Sequence, residues 1–381
     1  MSDFVPTRED RFAFGLWTIM NRGADPFGGP TREPIDPLEA ISELGRRGVW
    51  AIEMHVEDLI PVGSSAAARD RLIREARRRL DEYGMACVNV GANVFSHPVF
   101  RDGALTSHDA KVRALAMQRY MEAIDVGVEL GCTLCDLWWG RDGCECDAAR
   151  SPLEAFKRLR EGLNYLQHYI DRRGYAGYRL AIEPKPNEPR GDAYLPTVGH
   201  ALGLIAMLDR PDNCGLVPEL AHARMAGLNA FHEVALALDA GRLFGLHLNA
   251  QKPLRFDQDL RFGAEDLKES FFVVRLIEDA GWTGARTFDA HPYRTADREE
   301  VWDFVTGCMR SYLILREKVK RFNADAEIQG LLRELHEPDD GPLPDPQTLA
   351  GMHFDWDELA RRRLHHERLD QLTQELLLGI R

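Results

Sequence analysis

Five acidic residues stand at or just beyond the ends of short apolar runs: Glu183, Glu219, Asp257, Asp259 and Asp289. Two histidines, His222 and His247, lie among them in the chain. The densest stretch is IEPKPNEPRGD at 182–192. Its prolines at 184, 186 and 189 remove backbone donors and fix φ, so the alternating run Tyr178, Leu180, Ile182 must stop there. The stop leaves Glu183, Lys185 and Glu188 on a stiff loop, which by itself reads equally well as a salt-bridged turn. Asp257 and Asp259, two residues apart, point the same way if their loop is extended. Brought to one rim, the five carboxylates would repel one another strongly unless cations sat among them. Oxygen donors joined by two imidazoles suit Mg²⁺ or Mn²⁺, with Co²⁺ also compatible.

Other residues suggest the rest of a site. His55 is followed by Asp58, which could fix its tautomer and make it a base or proton shuttle. A strand-end histidine satisfied by a backbone carbonyl is the competing reading. Trp17, Phe95 and Trp138 are either core aromatics or, at a rim, an apolar wall for the C–H face of a sugar.

These residues need elements to position them. Apolar runs at 12–17, 48–55, 85–93, 132–139, 178–185, 214–220, 243–250 and 285–291 alternate with helical patterns at 36–46, 66–84, 108–130, 152–174, 197–209, 228–241, 262–281 and 297–320. Asp36-Pro37 and Ser107 read as helix starts, and Gly48, Gly84, Gly131 and Gly174 as stops. Eight strand–helix units predict an α/β fold, a (β/α)8 TIM barrel whose chemistry sits at the C-terminal strand ends. An open doubly wound sheet is disfavoured because no GxGxxG follows an early strand. The expected division is a catalytic barrel over 1–321 and a helical C-terminal arm over 322–381. The arm contains the linker EPDDGPLPDPQ and a final helix over about 355–378. Such an arm builds no core alone and is expected to pack on a neighbouring subunit.

The net charge of -13 argues against nucleic-acid partners, since the one dense basic run, Arg74–Arg79, reads as a solvated helix face. No apolar run reaches membrane-spanning length, and MSDFVPTREDRF lacks a basic-then-apolar leader. A cytoplasmic protein without membrane contact is the expectation. Seven cysteines include Cys132-x-x-Cys135 and Cys144-x-Cys146, but the apolar setting of CTLCDLWW favours reduced core thiols over zinc.

The motifs resemble a known family. IEPKPNEPRGD at 182–192, LPTVGHAL at 195–202, MAGLN at 225–229, DQDLRFGA at 257–264 and SHPVFRDG at 96–103 are similar to the shorter, actinobacterial-type xylose (glucose) isomerases. FGLWT at 14–18, DPFG at 25–28, DLIP at 58–61 and ERLDQL in the tail agree. The resemblance implies a TIM barrel with an embracing arm, a homotetramer built as a dimer of dimers, and two divalent cations per subunit. It implies an intramolecular oxidoreductase, an aldose–ketose isomerase that moves the C2 hydride of an open-chain sugar while the cations polarise its O1 and O2. Position by position, Glu183, Glu219 and Asp289 match ligands of the first metal. Glu219 matches the bridge to a second metal held by His222, Asp257 and Asp259. Lys185 matches the lysine at the carbonyl end of the substrate, and His55 with Asp58 the ring-opening histidine. Trp17, Phe95 and Trp138 match the apolar wall, and Phe27 an aromatic lent by the adjacent subunit.

The chain departs from that pattern around the pocket. His247 stands where the family has the fourth, aspartate ligand of the first metal, which should weaken Mg²⁺ relative to Mn²⁺ or Co²⁺. His291 replaces a lysine, Gly91 a threonine, Asp136 a valine, Trp139 a glycine and Val56 an acid. The expectation is that the two-metal machinery is kept while metal or substrate choice is altered, with Asp136 meeting a polar substrate group that xylose lacks there. The alternatives are an isomerase or epimerase for a modified sugar, a non-catalytic sugar-binding paralogue, and a two-metal nucleic-acid hydrolase, the last disfavoured by charge.

Overall fold

The computed structural model describes residues 4–336 and 341–381. Residues 337–340, at the start of the proline-rich linker, lie outside the described residues. The eight apolar runs become eight strands, β1 Phe12–Gly15, β2 Ala51–His55, β3 Ala86–Gly91, β4 Leu134–Leu137, β5 Arg179–Ile182, β6 Cys214–Leu216, β7 Leu246–His247 and β8 Arg286–Phe288. The eight helical patterns become α1 Pro37–Arg46, α2 Ala66–Tyr83, α3 Ala110–Leu130, α4 Pro152–Arg173, α5 Val198–Ile205, α6 Ala230–Asp239, α7 Leu267–Asp279 and α8 Arg298–Ala324.

Strand pairing is parallel and runs β3-β2-β1-β8-β7 in one arc and β4-β5-β6 in the other. The arcs meet at two seams. Between β6 and β7 the join is made by parallel bridges, Leu216 to Leu243 and Glu219 to His247. Between β3 and β4 the Asn89 side chain accepts the Asp136 N–H at 2.8 Å, doing the work of a backbone carbonyl. The pairing of β1 with β8 closes the ring, giving a (β/α)8 barrel.

The local signals explain most boundaries. Asp36 accepts from the N–H groups of Leu38 and Glu39 with Pro37 in the first turn. Gly84, Gly131 and Gly174 end α2, α3 and α4 in the left-handed region (φ of 55°, 81° and 70°), which costs glycine no steric strain. Two expectations shift. Asp109, not Ser107, caps α3, because the Ser107 hydroxyl is turned toward Asp102. Helix α7 begins at Leu267 rather than 262, because Gly263 sits at φ 77° and breaks the helical path.

The chain divides into two compact units, Met1–Leu313 and Ile314–Arg381. In the first, Phe12 and Phe14 of β1, Phe288 of β8, Phe262 and Tyr312 are fully buried and in mutual ring contact. In the second, the helices Ala326–His336 and His366–Leu378 pair, tied by Arg368 to Glu327 and by Arg381 to Asp325, Glu327 and Glu375. The expected single terminal helix is two, Trp356–Ala360 and His366–Leu378, because His365 turns the chain at φ 56°. Leu343, Trp356 and Leu359 of this unit are 81%, 83% and 61% exposed. Among the described residues, no helix is long and apolar enough to cross a membrane.

Candidate active site

The C-terminal ends of the strands form one cavity of about 290 Å³. That is at the small end of ligand pockets and suits a monosaccharide. Trp17, His55, Asp58, Phe95, Asp136, Trp138, Glu183, Lys185, Glu219, His222, Asp257, Asp259 and Asp289 all line it. They sit at the ends of all eight strands or on the loops just beyond, so groups far apart in sequence converge.

Two clusters share Glu219. In the first, ligand atoms of Glu183, Glu219, His247 and Asp289 all lie within 4.8 Å of one another. In the second, Glu219, His222 and Asp257 do so. The two imidazoles are held in the same manner. His222 Nδ1 bonds the Pro184 carbonyl at 3.0 Å, leaving Nε2 3.3 Å from Glu219 and 3.5 Å from Asp257. His247 Nε2 faces Glu53 at 3.1 Å, leaving Nδ1 3.2 Å from Glu183 and 3.1 Å from Asp289. That Nδ1 is buried and makes no hydrogen bond, and neither does Asp257 Oδ1. Buried polar atoms are rarely left so. A free nitrogen beside two carboxylate oxygens, aimed at a common point, is the donor set of a divalent cation, and these residues fit one.

Asp259 stands beside the second cluster. Asn249 holds it, its Nδ2 lying 3.0 Å from Asp259 Oδ1, 2.7 Å from Glu219 Oε1 and 2.8 Å from the Asp289 carbonyl. Asp259 adopts φ 44°, a left-handed conformation that aspartate tolerates.

Electrostatics follow from this crowding. Burial, then the neighbouring carboxylates, pushes Glu219 and Asp259 well above the usual carboxylate range. Burial works the same way on Glu183 and Asp289, but His247 outweighs it and both are lowered. Asp257 is lowered despite burial by Lys185, with which it forms an ion pair, and by His222. Burial disfavours charge on Lys185 and His247 as well, yet the surrounding carboxylates raise both. The same carboxylates would attract a cation.

At the mouth, His55 Nδ1 is 3.4 Å from Asp58 Oδ2, which also accepts the His55 backbone N–H at 2.7 Å. Trp17 packs on His55 at 4.7 Å between ring centres and donates its indole N–H to Asp289 at 2.8 Å. Phe95 meets Trp138 edge-on at 4.4 Å, and Lys185 Nζ lies 5.0 Å from the Trp138 ring centre. Gly91 leaves space, since a Cβ there would make only ordinary contacts, 3.4 Å to the Asp136 carbonyl and 3.5 Å to His55. Asp136 is buried, its Oδ1 has no hydrogen-bond partner, and burial followed by Glu183 holds its carboxyl well above the usual range.

Two of the named residues lie outside this cavity. His291 does not line the cavity; its Nδ1 faces the Pro292 carbonyl at 3.4 Å and burial lowers its pKa. Phe27 is fully exposed on the loop closed by the Asp25–Gly28 bridge. Trp139 is buried away from this cavity. The sequence reading missed Glu53 and gave Asn249 no role. Glu53 carried a signal in that it is an acid inside the otherwise apolar strand AIEMH.

A family model described as a xylose isomerase-like TIM barrel matches residues 38–312. Xylose isomerases of Thermus thermophilus and Thermus caldophilus are each 47% identical over 386 aligned positions, covering 99% of this chain and 100% of theirs. Among solved structures, an L-ribulose 3-epimerase superposes with a TM-score of 0.59 at 16% identity, covering 87% of this chain and 99% of its own. A 3-keto-D-glucoside 4-epimerase from E. coli gives 0.55 at 15% identity, over 72% of this chain and 96% of its own. At those identities the two structures speak for the barrel alone. The motifs, the barrel and the full-length relatives agree: the chain belongs to the xylose isomerase family of aldose–ketose isomerases.

Proposed function

We propose that this chain is a divalent-metal-dependent isomerase that interconverts an aldose and a ketose, with xylose, glucose or a related sugar as substrate. The observation that carries it is the pair of carboxylate–imidazole clusters sharing Glu219 at the floor of a sugar-sized cavity. Glu183, Glu219, His247 and Asp289 would hold one cation, and Glu219, His222, Asp257 and Asp259 the other. When bound, the cations supply Lewis acidity that polarises the sugar oxygens at C1 and C2.

The chain's own groups do the rest. His55, oriented by Asp58, moves a proton at the ring oxygen so that the pyranose opens. Lys185, charged and fixed by Asp257, hydrogen-bonds the C1 carbonyl oxygen and favours negative charge developing there. The C2 hydride then shifts to C1 as the O2 proton passes to O1, leaving a ketone at C2 and a primary alcohol at C1. Trp17, Phe95 and Trp138 cover the apolar face of the sugar and keep bulk water from exchanging with the migrating hydrogen.

Finer points belong to the same reading. The imidazole of His247 in place of a carboxylate favours Mn²⁺ or Co²⁺ over Mg²⁺. The barrel domain is taken as 1–321 and the arm as 322–381, wrapping a neighbour in a homotetramer. The exposed Leu343, Trp356 and Leu359 support that packing. The exposed Phe27 suits an aromatic lent to an adjacent pocket. A cytoplasmic setting is supported by seven cysteines that form no disulfide. A second reading, an isomerase or epimerase for a modified sugar, is favoured by Asp136 with its unpartnered oxygen beside the space left by Gly91.

The test is isomerisation by metal-stripped protein resupplied with Mg²⁺, Mn²⁺ or Co²⁺, using aldoses deuterated at C2. Ketose that retains the label at C1 is the expected result. Label lost to solvent would replace the hydride shift with proton abstraction. No ketose from any common aldose, with cations bound, would overturn the assignment in favour of a modified sugar or a binding role.

A further inference from the structure

The lone acid of strand β2 reaches under the first cluster. Glu53 is 3% exposed and His247 is fully buried. Register places Glu53 opposite Asn89 of β3 just after an irregularity between Ile52 and Glu53, and His247 opposite Thr287 of β8. All three neighbours bond the Glu53 carboxylate. Asn89 Nδ2 donates to Oε2 at 2.9 Å, Thr287 Oγ1 donates to Oε1, and His247 Nε2 lies 3.1 Å from Oε2. A carboxylate held by two other donors can only accept from the ring, so Nε2 carries the proton and Nδ1 presents its lone pair to Glu183 and Asp289.

We infer that Glu53 is a positioning residue for the first cation: it fixes His247 as the Nδ1-donating tautomer and supplies, from the far side of the ring, the negative charge that a fourth carboxylate ligand would otherwise bring. The inference rests on the two-metal reading above and deepens it. A neutral imidazole alone would leave three carboxylates around the cation. An imidazole backed by Glu53 is a stronger donor, and outer partners of this kind commonly change metal affinity 10- to 100-fold. The two residues then form one unit. Replacing His247 by aspartate alone would set a new carboxylate against Glu53 in a buried site, with no imidazole between them.

The test measures cation binding by calorimetry and the visible absorption of bound Co²⁺, on wild type, Glu53→Gln, His247→Asp and the double variant. Circular dichroism confirms folding of each. Glu53→Gln is expected to weaken Co²⁺ at one of two sites by about 10- to 100-fold and to alter its spectrum, leaving the other site unchanged. The double variant, an oxygen-only site without the opposing acid, is expected to bind Mg²⁺ more tightly than His247→Asp alone. Wild type that binds two cations, with Glu53→Gln matching it in affinity and spectrum, would overturn the inference and leave the functional reading standing. Wild type that binds no cation would overturn the functional reading itself. Should Glu53→Gln fail to fold, the comparison of His247→Asp with the double variant decides, and equal Mg²⁺ affinity in that pair refutes the coupling.

Discussion

Removing the cations is expected to destabilise the protein, and Glu219→Gln is expected to cancel most of that response while barely changing the stripped protein. Ligand atoms of Glu183, Glu219 and Asp289 lie within 4.8 Å of one another. Two ionised carboxylates at that separation repel by about 3 kcal/mol at an effective dielectric constant of about 20, so three pairs approach 10 kcal/mol if all are charged. Burial and the neighbouring carboxylates favour the protonated forms of Glu219 and Asp259 in the stripped protein, which relieves part of this repulsion. Glutamine has the shape of protonated glutamate, so the stripped variant should melt within a degree or two of stripped wild type. A cation at a thousand times its Kd stabilises wild type by about 4 kcal/mol, worth several degrees in a chain of this size. The variant lacks the carboxylate shared by both clusters and should lose most of that gain. The pH dependence follows in sign. An acid whose folded pKa is raised stabilises the fold below its unfolded pKa, and that contribution is lost as pH rises toward the folded value. Stripped wild type should therefore lose stability as pH rises above the unfolded carboxylate value of about 4, and the gap to loaded protein should widen with it. Melting curves of both proteins with chelator or with Mn²⁺, at several pH values, check this. A metal increment in Glu219→Gln equal to that of wild type would refute the shared-ligand geometry, and a wild-type melting point indifferent to chelator would refute the cation sites.

Further outcomes are expected. Trp138→Ala removes the surface that Lys185 and Phe95 pack against and should lower kcat/KM by about 10- to 100-fold, with Trp138→Phe recovering most of it, in steady-state assays. His55→Asn should cut kcat on a pyranose by about 100-fold. Burial lowers the His55 pKa but the Asp58 hydrogen bond and charge raise it by more, so the wild-type pH profile should break above 6.5 and the variant should lose that limb. Asp142→Ala strands the N–H groups of Ala104, Leu105 and Thr106 and the Thr106 hydroxyl, and should cost about 3 kcal/mol in denaturant titration. Light scattering should give a mass near four times the 43.2 kDa chain.

Much of this was legible in the residues because each signal was local. Proline at 184 and 186 ends a strand wherever the chain goes, and the run 178–185 duly becomes Arg179–Ile182 with Glu183 at its tip. Helix α7 and the terminal helix were misjudged where a single left-handed residue, Gly263 or His365, overrides a continuing apolar period. Glu53 escaped notice for a different reason. Its partner His247 is 194 residues away, and its neighbour Asn89 faces it only because the β2–β3 register shifts after Ile52. Pairings of that kind are set by barrel closure, and no spacing in the chain encodes them.

The floor of the barrel also bears on whether the departures around the pocket reflect decay. A site losing its chemistry by random change would leave buried polar atoms stranded, since each stranded group costs about 1–3 kcal/mol and nothing would select its partner. Here the polar groups around His247 and Asp136 are tied together. Glu53 takes hydrogen bonds from Asn89, Thr287 and His247; Asn89 in turn accepts the Asp136 N–H and so holds the β3–β4 seam. Among the buried side-chain atoms without a hydrogen-bond partner, His247 Nδ1, Asp257 Oδ1 and Asp136 Oδ1 belong to residues on or beside the cation clusters and the cavity, while others, such as Tyr120 Oη and Gln167 Oε1, lie away from it. Polar groups tied together beneath the clusters and left open toward them are what the proposed two-metal reading expects, with metal and substrate preference altered and activity kept. Filling the cavity should expose the difference: Gly91→Thr, with space for its Cβ, is expected to leave the melting point unchanged and to raise kcat/KM for xylose relative to bulkier sugars. An equal loss of activity on every sugar would show that Gly91 does not govern substrate choice.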